Sequence, residues 1–262
     1  MNTIVLVKQV PDTTEMNIDK ETGTLIRKGV PTIINPDDLA GVEAALTLKE
    51  TYGGSVTAIS MGPSQTEGML EELYARGVDE CFLVSDRAYA GSDTWATSNI
   101  LSTAIKSLEY DLVIAGRQAI DGDTAQVGPQ IAEFLGIPQV SYVEAIDKID
   151  DDKIFLTKAY ETYSQKLSCH LPCLITTLSE MNEPRYMHAK HIFNIDKKSV
   201  KHISNEDLKL DETEVGLKGS PTKVHKTAVK SVQKKTIKLK LSPEEAAQKI
   251  IDTIQGKEGA RQ

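Results

Sequence analysis

The stretch Gly116-Arg117-Gln118-Ala119-Ile120-Asp121-Gly122-Asp123-Thr124-Ala125-Gln126-Val127-Gly128-Pro129-Gln130 follows an apolar run, Asp111-Leu112-Val113-Ile114-Ala115. The run reads as a buried parallel strand, and a helical pattern over 124–135 follows the loop. A strand, a glycine-punctuated loop and a helix N-terminus in succession make an anion site. The first helical N–H groups have no intrahelical partners, and the macrodipole favours negative charge there. Gly116, Gly122 and Gly128 are expected to permit close backbone approach around the turn. Thr124 offers a hydroxyl and an N–H to a phosphate, and Ala125 and Gln126 add N–H groups. Asp123 reads as the helix N-cap, and Asp121 as a turn-former or an acceptor for ribose hydroxyls.

The first half of the chain repeats this strand–helix alternation. Strands are expected over 3–10, 55–60, 80–85 and 111–116, each rich in Val, Ile or Leu between turn residues. Asn35-Pro36-Asp37-Asp38 supplies an N-cap, a proline at the first helical position and two first-turn carboxylates, so a helix runs to about Thr51. Further helices are predicted over 65–76, ending at a left-handed Gly77, over 94–108, and up to Gly136. Such alternation implies right-handed βαβ units, hence an α/β fold with a Rossmann-like parallel sheet and helices on both faces. Ligands of such sheets sit beyond the carboxyl ends of the strands. Those ends carry residues 8–12, 60–63, 86–93 and 116–124, four loops predicted to share one crevice.

After Gln139 the pattern shifts to shorter, partly antiparallel strands over 140–143, 154–160, 165–167 and 174–177. Residues 1–180 are therefore read as the nucleotide-binding domain and 181–262 as a docking segment with an extended arm. From Asn182 to about Lys240 the chain is basic and weakly periodic, too long for a simple surface loop. Ile192, Phe193, Val215, Leu217, Val224 and Ile237 recur along it, which favours an arm around a partner subunit over disorder. Ser242-Pro243-Glu244-Glu245 carries a capping-box signature for a last helix over 242–255.

Composition removes several function classes. The net charge is −8 over 262 residues, which argues against binding a nucleic-acid backbone. No apolar run approaches the roughly 20 residues of a membrane-spanning helix, and the N-terminus reads as a strand rather than a signal peptide. Cys81, Cys169 and Cys173 form an odd, sparse set that suits a reducing compartment, so a cytoplasmic location is expected. Cys169 and Cys173 read as buried apolar side chains, since a structural zinc or an iron–sulfur cluster wants four ligands. Neither Gly-x-x-x-x-Gly-Lys-Ser/Thr nor, after the first strand, Gly-x-Gly-x-x-Gly occurs. No Ser–His–Asp or Cys–His set has a supporting context, and His188, His191, His202 and His225 read as solvated. No catalytic side chain is assigned: a bound redox cofactor would need from the protein only position and electrostatics. Arg87 and Arg117 are either phosphate or flavin partners or ordinary salt-bridge residues.

Several separated motifs occur in an order that resembles the beta subunit of the electron-transferring flavoproteins. They are Val7-Lys8-Gln9-Val10-Pro11-Asp12, Ile34-Asn35-Pro36-Asp37-Asp38, Met61-Gly62-Pro63, Gly116 to Gln130, Asn182-Glu183-Pro184-Arg185-Tyr186 and Gly216-Leu217-Lys218-Gly219-Ser220-Pro221-Thr222. The resemblance implies a Rossmann-like domain whose C-terminal arm embraces an alpha subunit. Ordinary members hold AMP as a structural ligand. In electron-bifurcating members the beta subunit binds FAD, which takes a hydride from NADH and divides the electrons between ferredoxin and, through the alpha-subunit FAD, a dehydrogenase. Val127-Gly128-Pro129, Thr24-Leu25-Ile26-Arg27-Lys28-Gly29-Val30-Pro31 and the stretch from Asp86 to Thr94 resemble that second group. Thr94 and Thr97 either leave room for a flavin ring or are cap and turn residues.

The resemblance thus gives a flavoenzyme subunit with NAD(H) as substrate, not active alone, serving an acyl-CoA or 2-hydroxyacid dehydrogenase. Its implied cofactor contacts are Leu6, Lys8, Asn35, Asp38, Ser60, Met61, Arg87, Thr94, Thr97, Gly116, Arg117, Gln118, Asp121, Gly122, Asp123, Thr124, Ala125, Gln126, Val127 and Gly128. Two departures stand out. Tyr160-Glu161-Thr162-Tyr163-Ser164 replaces an acidic, glycine-containing signature. Met187-His188-Ala189-Lys190 lacks the leucine that anchors the dehydrogenase in ordinary members, so the bulky anchor is lost or moved to Ile192 or Phe193.

Overall fold

A computed structural model describes residues 1–12, 31–195, 198–223 and 238–255. The motif from Thr24 to Val30, together with His225, Val224 and Ile237, lies outside the described residues. Contacts divide the chain into two units, Met1–His225 and Lys226–Gln262.

The first unit is built on β1 (Asn2–Leu6), β4 (Ser55–Met61), β5 (Glu80–Val84) and β6 (Leu112–Gly116), with α1 (Pro36–Tyr52), α2 (Glu67–Arg76), α3 (Thr94–Lys106) and α4 (Val127–Leu135) between and after them. The expected first strand is split: β2 (Gln9–Pro11) leaves the main sheet and pairs antiparallel with β3 (Thr32–Ile34). Beyond α4 come β7 (Gln139–Asp150), β8 (Lys153–Ala159), β9 (Ser164–His170) and β10 (Cys173–Thr177). A strand without sequence forewarning, β11 (Lys201–Ile203), completes a nine-stranded sheet of order β11-β5-β4-β1-β6-β10-β7-β8-β9. Seven strands run parallel, and only the β7–β8 and β8–β9 pairs are antiparallel.

Side chains of the parallel strands alternate between two cores, as the two-residue period of a strand requires. Val5, Ala58, Leu83 and Ile114 pack with Val42, Leu46, Leu70 and Leu73 of α1 and α2. Ile4, Leu6, Phe82 and Val113 pack with Ile100, Ile105 and Ile131 of α3 and α4 on the opposite face. Gly77 and Gly136 end α2 and α4 with φ of 115° and 68°, the left-handed closure that their positions predict. All three cysteines are free and buried.

Residues 198–223 differ from expectation. They are not a free arm but pack on this chain: β11 pairs with β5, and Val200, Ile203 and Val215 are buried. Short α5 (Ala189–Ile192) precedes β11, and short α6 (Asn205–Leu208) and α7 (Gly216–Gly219) follow it. In the second unit α8 (Pro243–Ile254) carries the expected capping box, with Ser242 accepting from Glu245 N–H and the Glu245 carboxylate accepting from Ser242 N–H. Among the described residues no helix is long and apolar enough to cross a membrane.

Candidate functional site

The sheet order turns at β1, which has β4 on one side and β6 on the other. Loops leaving the carboxyl ends of two such strands part to opposite faces and open a crevice. The start of α1 forms its floor. Asp38, 7% exposed, accepts Lys8 N–H on Oδ2 at 2.8 Å, and the Asn35 amide and Gly116 N–H on Oδ1 at 2.9 and 3.1 Å. Burial pushes the Asp38 carboxyl up to about 7, against the lowering effect of the Asn35 and Lys8 donors.

Asn35 is wholly buried and is not the side-chain cap that its position suggests. Its amide nitrogen also donates to Gln118 O at 2.9 Å, and its oxygen accepts Ile120 N–H at 3.1 Å. The first turn of α1 thereby holds the loop after β6 at both ends of one peptide stretch. Lys8 Nζ adds an ion pair to Asp121 at 2.6 Å, so the exposed Asp121 carboxylate faces a cation. Arg117 takes the salt-bridge reading: Nε lies 3.3 Å from Asp37 Oδ2, and the guanidinium sits 5.9 Å from the centre of the Tyr142 ring.

The loop itself corrects three expectations. The helix starts at Val127 with Gln126 in the capping position, not at Thr124. Ala125 has φ of 51°, outside the right-handed helical region, so residues 124–126 lie outside the helix. Asp123 is therefore no N-cap. It too has φ of 51°, and its carboxylate accepts from the Gln118 amide at 3.0 Å. Gly122 has neither a positive φ nor a neighbour within 4 Å of a built Cβ, so the strained position falls on Asp123 instead. Gly116 and Gly128 do need their lack of a side chain. A Cβ would stand 2.0 Å from Asp38 Oδ1 in the first case and 2.8 Å from Thr176 Cγ2 in the second.

The backbone N–H groups of Thr124, Ala125 and Gln126 have no acceptor among the described residues, nor does the Thr124 hydroxyl. Those of Val127 and Gly128 open α4 and lie in its unpaired first turn. Successive N–H groups around a left-handed residue form an anion-binding concavity. The site can therefore take a phosphate with the α4 dipole behind it.

The opposite wall is the start of α3. Asp93 caps it by accepting Ala96 N–H at 3.1 Å, and Thr94 Oγ1 reaches Gln126 Oε1 at 3.0 Å. Ser98 joins the same seam through Val127 O and Gln130 Oε1. Thr97 lies half-buried in the first turn, its hydroxyl without a partner among the described residues. At the end of β4, Ser60 is 1% exposed with no partner for its hydroxyl among the described residues, and Met61 beside it is half-buried. Leu6 closes β1 inside the core rather than on the crevice surface. Arg87 is exposed on the one-turn helix Arg87–Tyr89 and has no ion-pair partner among the described residues.

Residues that sequence reasoning passed over join the site. Asp37 holds Arg117 and accepts Ser179 N–H at 3.0 Å, while Thr177 Oγ1 donates to Asp37 O at 2.9 Å. Ser220 and Thr222 bind Asp93 across the β5 loop. The fixed spacing of Asp37 before Asp38 was a usable signal; Thr177 gave none, and Thr222 stood in a recognisable motif without a visible role, because their partners lie 140 and 129 residues away.

The architecture is that of a doubly wound, Rossmann-like α/β protein with its crevice at the strand-order switch. A family model for the electron transfer flavoprotein domain matches residues 22–208. The electron transfer flavoprotein subunit beta of Clostridium acetobutylicum is 53% identical, over 89% of this chain and 90% of its own length. Subunit CarD of the caffeyl-CoA reductase-Etf complex of Acetobacterium woodii is 48% identical over 87% of each chain. The acryloyl-CoA reductase electron transfer subunit gamma of Anaerotignum propionicum is 41% identical over 98% of this chain and 99% of its own. The chain belongs to the electron transfer flavoprotein family, as a beta subunit.

Proposed function

We propose that this beta subunit binds FAD in the crevice and takes part in electron bifurcation. The observation that carries the reading is the run of unpartnered N–H groups at residues 124–128, set around the left-handed Ala125 and backed by the α4 dipole. The donor set fits a diphosphate. Thr124 adds a hydroxyl, Arg87 brings to the same end of the sheet a cation with no ion-pair partner among the described residues, and the buried Ser60 hydroxyl likewise has no partner among them. When bound, FAD supplies acceptance of a hydride from NADH and division of its electrons between ferredoxin and the alpha-subunit flavin.

The chain's own residues bind, orient and screen. Asp38 and Asn35 keep the loop after β6 in register with the end of β1, and Lys8 neutralises Asp121, which would otherwise repel a diphosphate. Thr94 and Gln126 close the seam between the α3 and α4 starts. No side chain here is asked to accept or donate a proton.

The Arg185 guanidinium grips Glu43 and Glu50 of α1, and the strap so fixed leaves Tyr186 92% and Phe193 86% exposed. This surface is where a flavin-dependent dehydrogenase docks, with Phe193 as the displaced anchor. The names of the caffeyl-CoA and acryloyl-CoA reductase relatives favour a CoA-ester enzyme over a 2-hydroxyacid type. The segment from 226 onward, with Ile250, Ile251 and Ile254 exposed on α8, embraces the alpha subunit. The complex is cytoplasmic, and the chain is inactive alone.

Counting cofactors in the purified heterodimer tests the reading. Two FAD per heterodimer support it, whereas one FAD with one AMP replaces it by a beta subunit whose nucleotide is structural.

A further inference from the structure

The motif Gly216-Leu217-Lys218-Gly219-Ser220-Pro221-Thr222 offers no group to the anion loop itself, yet it is fastened to the crevice wall. Gly216 has φ of 61°, and a Cβ on it would stand 2.0 Å from Ala88 O, so only glycine fits against the loop after β5. Its N–H donates to Ser92 Oγ at 3.1 Å, and Leu217 N–H donates to Ala90 O at 3.0 Å. Ser220, 6% exposed, accepts Asp93 N–H at 2.8 Å and donates to Gly216 O at 2.6 Å. Thr222 then gives both its N–H and its hydroxyl to Asp93 Oδ2, at 2.9 and 2.7 Å.

Asp93 faces both ways. Oδ2 is held by Thr222 and Oδ1 caps α3 through Ala96 N–H. The next residue, Thr94, carries the hydroxyl that meets Gln126 in the anion loop. Burial works against the Asp93 carboxylate, but the Thr222 and α3 donors outweigh it and hold its pKa below the usual value, so the charged acceptor persists near neutrality.

We propose that Thr222 is a positioning residue for the nucleotide crevice: by fixing the Asp93 carboxylate it sets the start of α3, and with it the Thr94–Gln126 contact that closes the anion loop. This rests on the reading of the crevice as a nucleotide site. Thr222 itself touches no ligand in the proposal. Freed from Thr222, the Asp93 side chain can turn from Ala96, the first turn of α3 loses its cap, and residues 124–127 lose their far support.

The test uses the heterdimer of the full chain with its alpha subunit, stripped of nucleotide, with FAD and in parallel AMP titrated by calorimetry. The alpha-subunit flavin site is the internal control. Thr222→Val should weaken the beta-subunit event roughly three- to tenfold, the range for one lost hydrogen-bonding group, and leave the alpha event unchanged. Thr222→Ser, which keeps the hydroxyl, should restore it. Amide hydrogen exchange of the ligand-free heterodimer should quicken at Ala96 and Gln130, whose N–H groups donate to Asp93 Oδ1 and Gln126 O, in Thr222→Val and not in Thr222→Ser. A wild-type beta site that takes up neither FAD nor AMP overturns the nucleotide reading and this proposal together. Equal affinity and equal exchange in wild type and Thr222→Val overturn the positioning role alone. Weakening by valine and serine alike also overturns it, since a hydroxyl would then not be what matters.

Discussion

Asp38 stands where a side chain at Gly116 would have to go: a Cβ there would lie 2.0 Å from Asp38 Oδ1, the same oxygen that accepts Gly116 N–H at 3.1 Å. The carboxylate can approach so closely only because position 116 is bare. Gly116→Ala is expected to cost about 2–3 kcal/mol, as overpacking against a buried charged group that has nowhere to move. The urea midpoint reads it. A loss under about 0.5 kcal/mol would show that Asp38 is free to step aside.

The same carboxyl makes stability depend on pH in one direction. Burial raises Asp38 from 3.8 to about 7, so between those values the folded chain keeps a proton that the unfolded chain releases. Its contribution is fully present below about 3.8 and is lost as pH rises through about 7. Over that window the loss is at most about 4 kcal/mol. Wild type and Asp38→Asn compared by urea unfolding from pH 4 to 8 should converge or diverge across this range, with the steeper fall in wild type. Parallel pH profiles would mean that the Lys8, Asn35 and Gly116 donors keep Asp38 ionised throughout.

The parallel half of the sheet was legible because each strand is a short apolar run between turn residues, and because Gly77 and Gly136 mark helix ends by a conformation that other residues resist. The start of α4 misled for a physical reason. Asp123-Thr124 looks like a cap before a helical pattern, but Ala125 takes a left-handed φ that sequence does not advertise. Strand β7 runs to Asp150, well past the predicted 143, since its outer half mixes exposed Asp147, Lys148 and Asp150 with half-buried Ile146 and Ile149 and is held largely by pairing with β8. Strand β11 has three residues and only Ile203 buried, too short a signal for any period. The site floor was half visible: Asn35 and Asp38 stood out, but as caps, whereas their true partners come from loops some 80 residues away.

Positions 122 and 125 invert the usual glycine expectation. Gly122 has open space and no left-handed φ, so Gly122→Ala should change stability by less than about 0.5 kcal/mol. Ala125 does adopt φ of 51°, so Ala125→Gly should be neutral or slightly stabilising, and the β-branched Ala125→Val should cost about 1–2 kcal/mol. Thermal melting ranks the three. Nucleotide content should follow the same order, since the N–H groups of residues 124–126 turn with the backbone at 125. An intolerant Gly122 beside a tolerant Ala125→Val would place the strain one turn earlier than the structure has it.

Arg185 ties the exposed strap to the rigid part of the fold. Its guanidinium meets Glu43 Oε1 at 2.9 Å and Glu50 Oε1 at 2.5 Å, its own N–H donates to Glu43 Oε2 at 2.9 Å, and its carbonyl accepts from Arg76 Nη1. Lysine is a point charge without the planar fork, so Arg185→Lys keeps one ion pair and the two main-chain bonds but loses the other guanidinium bonds. The strap would then sample several positions, and a docked partner would have to order it again. With saturating cofactor, the KM for the partner dehydrogenase should rise roughly tenfold in Arg185→Lys and in Phe193→Ala, while the FAD content of both variants stays at the wild-type level. The double variant should be little worse than either single one if both act through the same surface. Additive losses, or a fall in FAD content, would place Arg185 in holding the domain together rather than in presenting Phe193.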